Sequence, residues 1–315
     1  MVRFVLLIFC LLYSLNLFSQ EYTYGLVLHG GAGNMRLKNQ PEKARMYINS
    51  LQAALDSGYR MLQMGFSSEE VVVAVVTLLE NDSLFNAGRG AVLTHQGIAE
   101  LDASLMTGHD QNAGAVCGVK QIKNPILAAQ YVKNHSEHVM LSGRGAEQFA
   151  IVQGLDTVPN SYFITEEVRR KWIEASQSEK FGTVGCVALD RKGNLAAGTS
   201  TGGMMMKKFG RIGDAPIIGA GTFAKNGLIA VSCTGHGEYF IRTSAAYQIA
   251  ARIEYGKQKP TKAIRETLKT IKELGGTGGV IAIDSKGNIY HEYTTEGMFR
   301  AGRNSRGDSF VKIYE

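Results

Sequence analysis

One pattern occurs twice in the second half of the chain and restricts its architecture more than any other. An apolar run over residues 184–190 is followed by Arg191-Lys192-Gly193-Asn194 and then by a second run over 195–200. The same order returns at 280–284, Ser285-Lys286-Gly287-Asn288 and 289–293. Each reads as a β-hairpin closed by a Gly-Asn turn. The first strand of each is nearly continuously apolar, so it is buried on both faces. Such a sheet needs cover on each side. Helical periodicity over residues 44–64, 68–80, 241–255 and 261–274 supplies it. Two sheets face to face with helices outside satisfy this pattern.

The first half supplies fewer strands. Residues 24–28 read as a short strand that ends in the loop His29-Gly30-Gly31-Ala32-Gly33. Ser67 and Glu70 form a capping box ahead of the second helix. A loop over 81–90, a buried strand over 113–119, and helices over 125–133 and 146–152 follow. Residues 159–182 crowd eight charged side chains around Trp172 and Ile173, which reads either as a solvated linker or as a surface helix.

The start of the chain has the form of an export leader. Arg3 precedes an apolar run over 4–18, interrupted by Ser14 and Asn16 and followed by Ser19 and Gln20. That run is shorter than the roughly 20 apolar residues a membrane span requires. The expectation is therefore a signal peptide over 1–20, export to the periplasm or the medium, and no stable membrane insertion after its removal. Without Arg3 the balance is 33 basic against 28 acidic residues, and no basic block exceeds Arg169-Arg170-Lys171, so a nucleic-acid footprint is not indicated. Cys117, Cys186 and Cys233 show no CxxC spacing and read as small buried residues.

Several chemistries lack their motifs. No GxGxxG or GxxxxGK[ST] is present, and His135 and His138 flank Glu137 without the HExxH spacing or other ligands. Gly198-Thr199-Ser200-Thr201-Gly202 does fit GxSxG, with Asp214 or Asp284 and then His291 in the order of an α/β-hydrolase triad. Gly202 and Gly203 are a poor start for the helix that such an elbow needs.

A second constellation carries more. A free α-amine titrates at roughly 7.7 to 8.0, so a threonine at an N-terminus has its own general base beside its hydroxyl. Phe181-Gly182-Thr183-Val184-Gly185 offers a route to one, because Gly182 tolerates a strained backbone and the Thr183 hydroxyl can attack the carbonyl before it. The hairpin returns at Thr199-Ser200-Thr201-Gly202-Gly203, bringing the Thr201 hydroxyl toward Thr183. Arg211 and Asp214 stand three residues apart on a glycine-rich loop, a cation and an anion suited to the carboxylate and ammonium of an α-amino acid. Ser232-Cys233-Thr234-Gly235-His236-Gly237-Glu238 ends an apolar strand with a hydroxyl and backbone N–H groups that suit an oxyanion.

Together with Leu84-Phe85-Asn86-Ala87-Gly88, Glu100-Leu101-Asp102-Ala103 and Thr295-Glu296-Gly297-Met298, these segments closely resemble the plant-type asparaginase and isoaspartyl peptidase family of N-terminal nucleophile (Ntn) hydrolases. The resemblance runs along nearly the whole chain after the leader. It implies a four-layer αββα sandwich, cleavage between Gly182 and Thr183 into an α subunit (21–182) and a β subunit (183–315), and a homodimer of cleaved protomers. It further implies Thr183 as nucleophile, Thr201 as its hydrogen-bonding partner, and Arg211 and Asp214 as the substrate clamp. Thr234 and Gly235 would form the oxyanion site, Gly237 would offer a carbonyl to the substrate amine, and Asn86 would orient the active-site amine or water. No cofactor is implied for catalysis. A structural sodium ion is, held by backbone carbonyls of Leu79, Glu80, Asp82, Phe85, Ala87 and Arg89. Substrates would be free asparagine or β-aspartyl dipeptides. Glycosylasparaginase activity is the nearest enzymatic alternative, and a catalytically silent amino-acid or peptide binder the non-enzymatic one. His236 in the TGxGE segment is a candidate modulator of leaving-group preference.

Overall fold

A computed structural model describes residues 22–33, 37, 39–174 and 182–314. The expected leader lies outside the described residues, and so do 175–181 of the expected linker. The chain is a mixed α/β fold built on two sheets. The first half gives β1 (Gly25–Gly33), α1 (Pro41–Met64), α2 (Ser68–Asn81), β2 (Leu101–Thr107), β3 (Ala113–Val119), α3 (Pro125–His135), β4 (Met140–Ser142), α4 (Gly143–Val152) and α5 (Glu166–Glu174). The second half gives β5 (Val184–Leu189), β6 (Leu195–Thr201), β7 (Thr222–Lys225), β8 (Ile229–Gly235), α6 (Gly237–Arg242), α7 (Ala245–Glu254), α8 (Pro260–Glu273), β9 (Gly278–Asp284), β10 (Ile289–Tyr293), β11 (Gly297–Asn304) and β12 (Ser309–Lys312).

Eight strands form one sheet in the order β12-β11-β1-β5-β6-β2-β3-β4, and four form the other in the order β10-β9-β8-β7. The expected two-sided burial of β5 and β9 is present, every residue of both being buried. Side-chain alternation divides β5 between two cores. Val184, Cys186 and Ala188 join Leu26 and Leu28 of β1 in the core that α1 and α2 cover, while Val187 and Leu189 face the side of the second sheet that carries Ala230, Ile281 and Ile283. Helices α7 and α8 pack on β8, β9 and β10. Residues on the same face as Val187, including Thr183 and Gly185, therefore look into the space between the sheets. No helix among the described residues is long and apolar enough to cross a membrane. Cys117, Cys186 and Cys233 are free and buried.

Two sequence expectations are corrected, and one left open between two readings is decided. The segment His29 to Gly33 is the continuation of β1 rather than a loop, paired with β11 across a bulge at His29/Gly31. Four glycines and alanines in five residues hide a strand from propensity, and pairing with β11 along the segment, joined by β5 at His29, overrides it. The helix expected over 241–255 is two helices, broken where Ser244 adopts a left-handed φ of 47°. The charged segment 159–182 contains the surface helix α5, one of its two readings. Strands β2, β11 and β12 carry too little apolar alternation to be read in advance; neighbours in the sheet define them.

Candidate active site

The register of β5 on β6 pairs Val184 with Ser200, and that places Thr183 beside Thr201. The two hydroxyl oxygens are 3.2 Å apart. The Gly182 carbonyl lies over them and is gripped from several sides. The Thr183 hydroxyl reaches it at 2.7 Å, the Thr201 hydroxyl donates to it at 2.9 Å, and Asn86 Nδ2 donates at 2.7 Å. Asn86 is itself fixed, because its amide also donates to Gly203 O at 2.8 Å and accepts from Val92 N at 2.8 Å. The Gly203 N–H donates to Thr201 Oγ1 at 2.9 Å, leaving that hydroxyl's proton aimed at Gly182. Gly31 in the β1 bulge has a φ of 107°, and a Cβ there would stand 3.1 Å from Gly182 Cα. The glycine run in β1 thus makes room for the Gly182–Thr183 peptide.

Thr183, Thr201, Arg211, Asp214 and Gly235 line one small pocket with Gly182. Arg211 is oriented by Glu238, which accepts from Nε at 2.8 Å and from Nη2 at 2.9 Å. That fork fixes the guanidinium plane. A Cβ on Gly213 would stand 2.8 Å from Arg211 Nη1, and one on Gly237 would stand 2.9 Å from both Arg211 Nη2 and Asp214 Oδ1. A side chain at either glycine would displace the clamp from this geometry. Burial pushes the Asp214 carboxyl up to about 7 against the pull of Arg211. Asp214 Oδ2 and Thr234 Oγ1 are buried without a hydrogen-bond partner among the described residues. An orphaned buried group costs about 1–3 kcal/mol, so two of them beside one pocket fit a polar ligand. Gly235, with a φ of 146°, follows Thr234 at the end of β8, where a Cβ would collide with Thr277 O. The site residues expected from sequence are brought to one place, Asn86 included.

Sequence reasoning missed the residues behind the site. Lys207 is buried with its ammonium 2.9 Å from Glu100 O and 3.9 Å from Asp102 Oδ2, and burial moves Asp102 up and Lys207 down. Glu238 appeared in the quoted motif without a role. His29 and Ser232 likewise stood in quoted segments, and nothing in their spacing tied one to the other.

The serine-triad arrangement is not formed. Ser200 points to the opposite face of β6 and donates to the buried Glu80 carboxylate at 2.6 Å. No helix begins after it. His291 sits on β10 in the other sheet, its ring against Phe310 and Arg300.

A hydroxyl against a gripped carbonyl, beside a cation and anion spaced for an amino acid, is the apparatus of a hydrolase. The chain belongs to the asparaginase family, whose profile matches residues 22–313. It is 46% identical over 294 residues to an isoaspartyl peptidase of Escherichia coli, covering 88% of this chain and 91% of that protein. It is 41% identical to the isoaspartyl peptidase/L-asparaginase of Rattus norvegicus, with 92% and 89% covered. A probable isoaspartyl peptidase/L-asparaginase 2 of Arabidopsis thaliana is 37% identical, with 93% and 99% covered.

Proposed function

We propose that this chain cuts itself between Gly182 and Thr183 and then hydrolyses the side-chain amide of L-asparagine and the β-aspartyl bond of isoaspartyl dipeptides. The observation that carries the proposal is the Thr183 hydroxyl, 2.7 Å from a Gly182 carbonyl that Thr201 and Asn86 also hold. Attack of Thr183 Oγ1 on the Gly182 carbon forms an ester as the peptide C–N bond breaks, and the hydroxyl proton passes to the departing nitrogen. Thr201 and Asn86 hold the carbonyl oxygen as it becomes negative. Water then hydrolyses the ester. Gly182 gains a carboxylate and Thr183 a free amine.

That amine is the general base for the second reaction. It takes the Thr183 hydroxyl proton as Oγ1 attacks the substrate's side-chain carbonyl, and it returns the proton to the leaving ammonia or amino acid. Arg211 holds the substrate's α-carboxylate, and Asp214, with the Gly237 carbonyl beside it, holds the α-ammonium. Thr234 Oγ1 and Gly235 N–H take the oxyanion; the unpartnered state of Thr234 Oγ1 supports this role. Water releases aspartate from the ester on Thr183. The names of the relatives favour this reading over glycosylasparaginase activity.

The same reading stacks the layers as helices, sheet, sheet, helices, and pairs two cleaved protomers. It assigns residues 1–20 to an export leader and the mature enzyme to the periplasm or medium. It also assigns a structural sodium ion to the 79–89 loop. Gly88, at φ 49°, curls this loop back so that Arg89 N–H reaches Glu80 O at 2.7 Å. Within the described backbone, the carbonyls of Phe85, Ala87 and Arg89 receive no hydrogen bond. Hard oxygen donors of this kind fit an alkali cation. The ion would rigidify the loop that carries Asn86.

The deciding experiment is intact mass spectrometry under denaturing conditions, with Thr183→Ala as control. Two chains meeting at Gly182 and Thr183, absent in the variant, followed by turnover of asparagine and a β-aspartyl dipeptide, support the proposal. A persistently single chain overturns it.

A further inference from the structure

One row of polar side chains crosses the space between the sheets, between the row that carries Thr183 and Thr201 and a row of apolar side chains. His29 on β1 is in register with Gly185 on β5, Gly185 with Thr199 on β6, and Thr199 with Ser104 on β2. Facing them, Thr222 on β7 pairs with Ser232 on β8. All five polar side chains are fully buried. They join into one line. His29 Nδ1 is 3.0 Å from Thr183 O, and His29 Nε2 is 3.0 Å from Ser232 Oγ. Ser232 Oγ is 2.7 Å from Thr199 Oγ1, which is 2.6 Å from Thr222 Oγ1. Ser104 Oγ completes the line, 2.8 Å from Thr222 Oγ1 and 2.6 Å from Ala215 O. One end is the backbone of the nucleophile, and the other is the residue after Asp214.

Packing does not require these groups. The next row along the same strands, Val27, Val187, Ala197 and Met106, fills the equivalent space with apolar side chains. Gly185 is the row's one residue without a side chain, and a Cβ there would overlap both Ser232 Oγ and His29 Nε2. The contact between β1 and β8 passes through the space that Gly185 leaves open.

Proton counting adds a constraint. Burial lowers the His29 imidazole to about 3, so it is neutral and carries one proton. With four hydroxyl protons this makes five for the six contacts named above. If Nδ1 is protonated it donates to Thr183 O, each hydroxyl donates toward His29, and the Ser104–Ala215 contact lacks a proton. If Nε2 is protonated, every hydroxyl donates toward Ala215 O and Thr183 O loses its donor. Longer approaches of Thr199 to Gly221 O at 3.3 Å and Thr222 to Ala215 O at 3.5 Å are weaker outlets.

We propose that His29, Ser232, Thr199, Thr222 and Ser104 are positioning residues for the hydrolysis, a relay that ties the Thr183 backbone to the Asp214 clamp and couples the hydrogen bonding at its two ends. The inference rests on the hydrolase reading for its kinetic consequences, but the relay has readouts of its own.

Thr222→Val removes a hydroxyl at nearly constant volume, and Thr222→Ser keeps it. Thr222→Val should fold, cut itself and raise KM for asparagine about tenfold with kcat little changed, and Thr222→Ser should restore KM to within about threefold. Ser232→Ala, at the other end, should slow self-cleavage and lower kcat about tenfold or more. Unchanged kinetics in Thr222→Val, or a Thr222→Ser variant as impaired as Thr222→Val, would overturn the relay. An inactive parent would defeat the hydrolase reading alone. The relay would then be judged by nitrogen NMR of histidine-labelled protein. Ser104→Ala removes one proton and two contacts, so four protons match four contacts with Nδ1 protonated. A shift of His29 toward that tautomer supports the relay, and a tautomer indifferent to Ser104 overturns it.

Discussion

Thr234 separates what a residue does for stability from what it does for chemistry. Its hydroxyl is buried and unpartnered among the described residues, so the isosteric Thr234→Val should leave thermal stability unchanged or raise it by about 1 kcal/mol. If the hydroxyl takes the oxyanion, the same substitution should lower kcat by about 10²–10³. A melting curve and a rate assay on one sample check both. Asp214 makes the second residue-scale prediction. Its carboxyl, pushed up to about 7 by burial, is protonated below that pH and then cannot hold an ammonium. KM for asparagine should therefore climb as pH falls through about 7, and initial rates across pH 5 to 9 test this. The sign for folding is opposite to that of a salt-bridged aspartate. Between its unfolded value near 4 and about 7 the folded chain retains a proton that the unfolded chain releases, so this group's contribution to stability declines as pH rises through that window.

Among the elements, the twin hairpins show how a sequence signal can be right in kind and incomplete in cause. The Gly-Asn turns are present, with Gly193 at φ 82° and Gly287 at φ 74°. An aspartate closes each. Asp190 Oδ1 accepts from Lys192 N and Asn194 N, and Asp284 Oδ1 accepts from Lys286 N and Asn288 N. Asp190 Oδ2 also accepts from Ser68 N at 3.1 Å, tying the hairpin to the first turn of α2. Ser67 and Glu70 cap that same helix as the sequence indicated. Asp190→Ala should cost at least about 2 kcal/mol, because three N–H groups lose a charged acceptor. Ser67→Ala should cost about 1 kcal/mol. Urea denaturation of the two variants side by side measures the difference, and equal costs would show that the tie to α2 is not felt.

At the scale of the whole molecule, the proposed cut falls in the middle of a shared sheet. Strands from before Gly182 and after it interleave: β1 lies between β11 and β5, and β2 pairs with β6. The two pieces cannot part without breaking three strand interfaces. They should therefore elute together in size exclusion after cleavage and separate only in denaturant.

The sequence by itself determined the two-sided burial of the first strand of each hairpin, the capped helix, and the functional groups that the pocket gathers, because burial pattern, caps and functional groups are written locally. Tertiary structure alone decided that His29 to Gly33 is a strand, that Ser200 and Thr201 on one strand face opposite cores, and that Glu238 holds Arg211. It also decided the row from His29 to Ser104, whose members come from five strands. Each of these depends on register between segments tens to hundreds of residues apart, and a strand's register is set by its neighbours in the sheet.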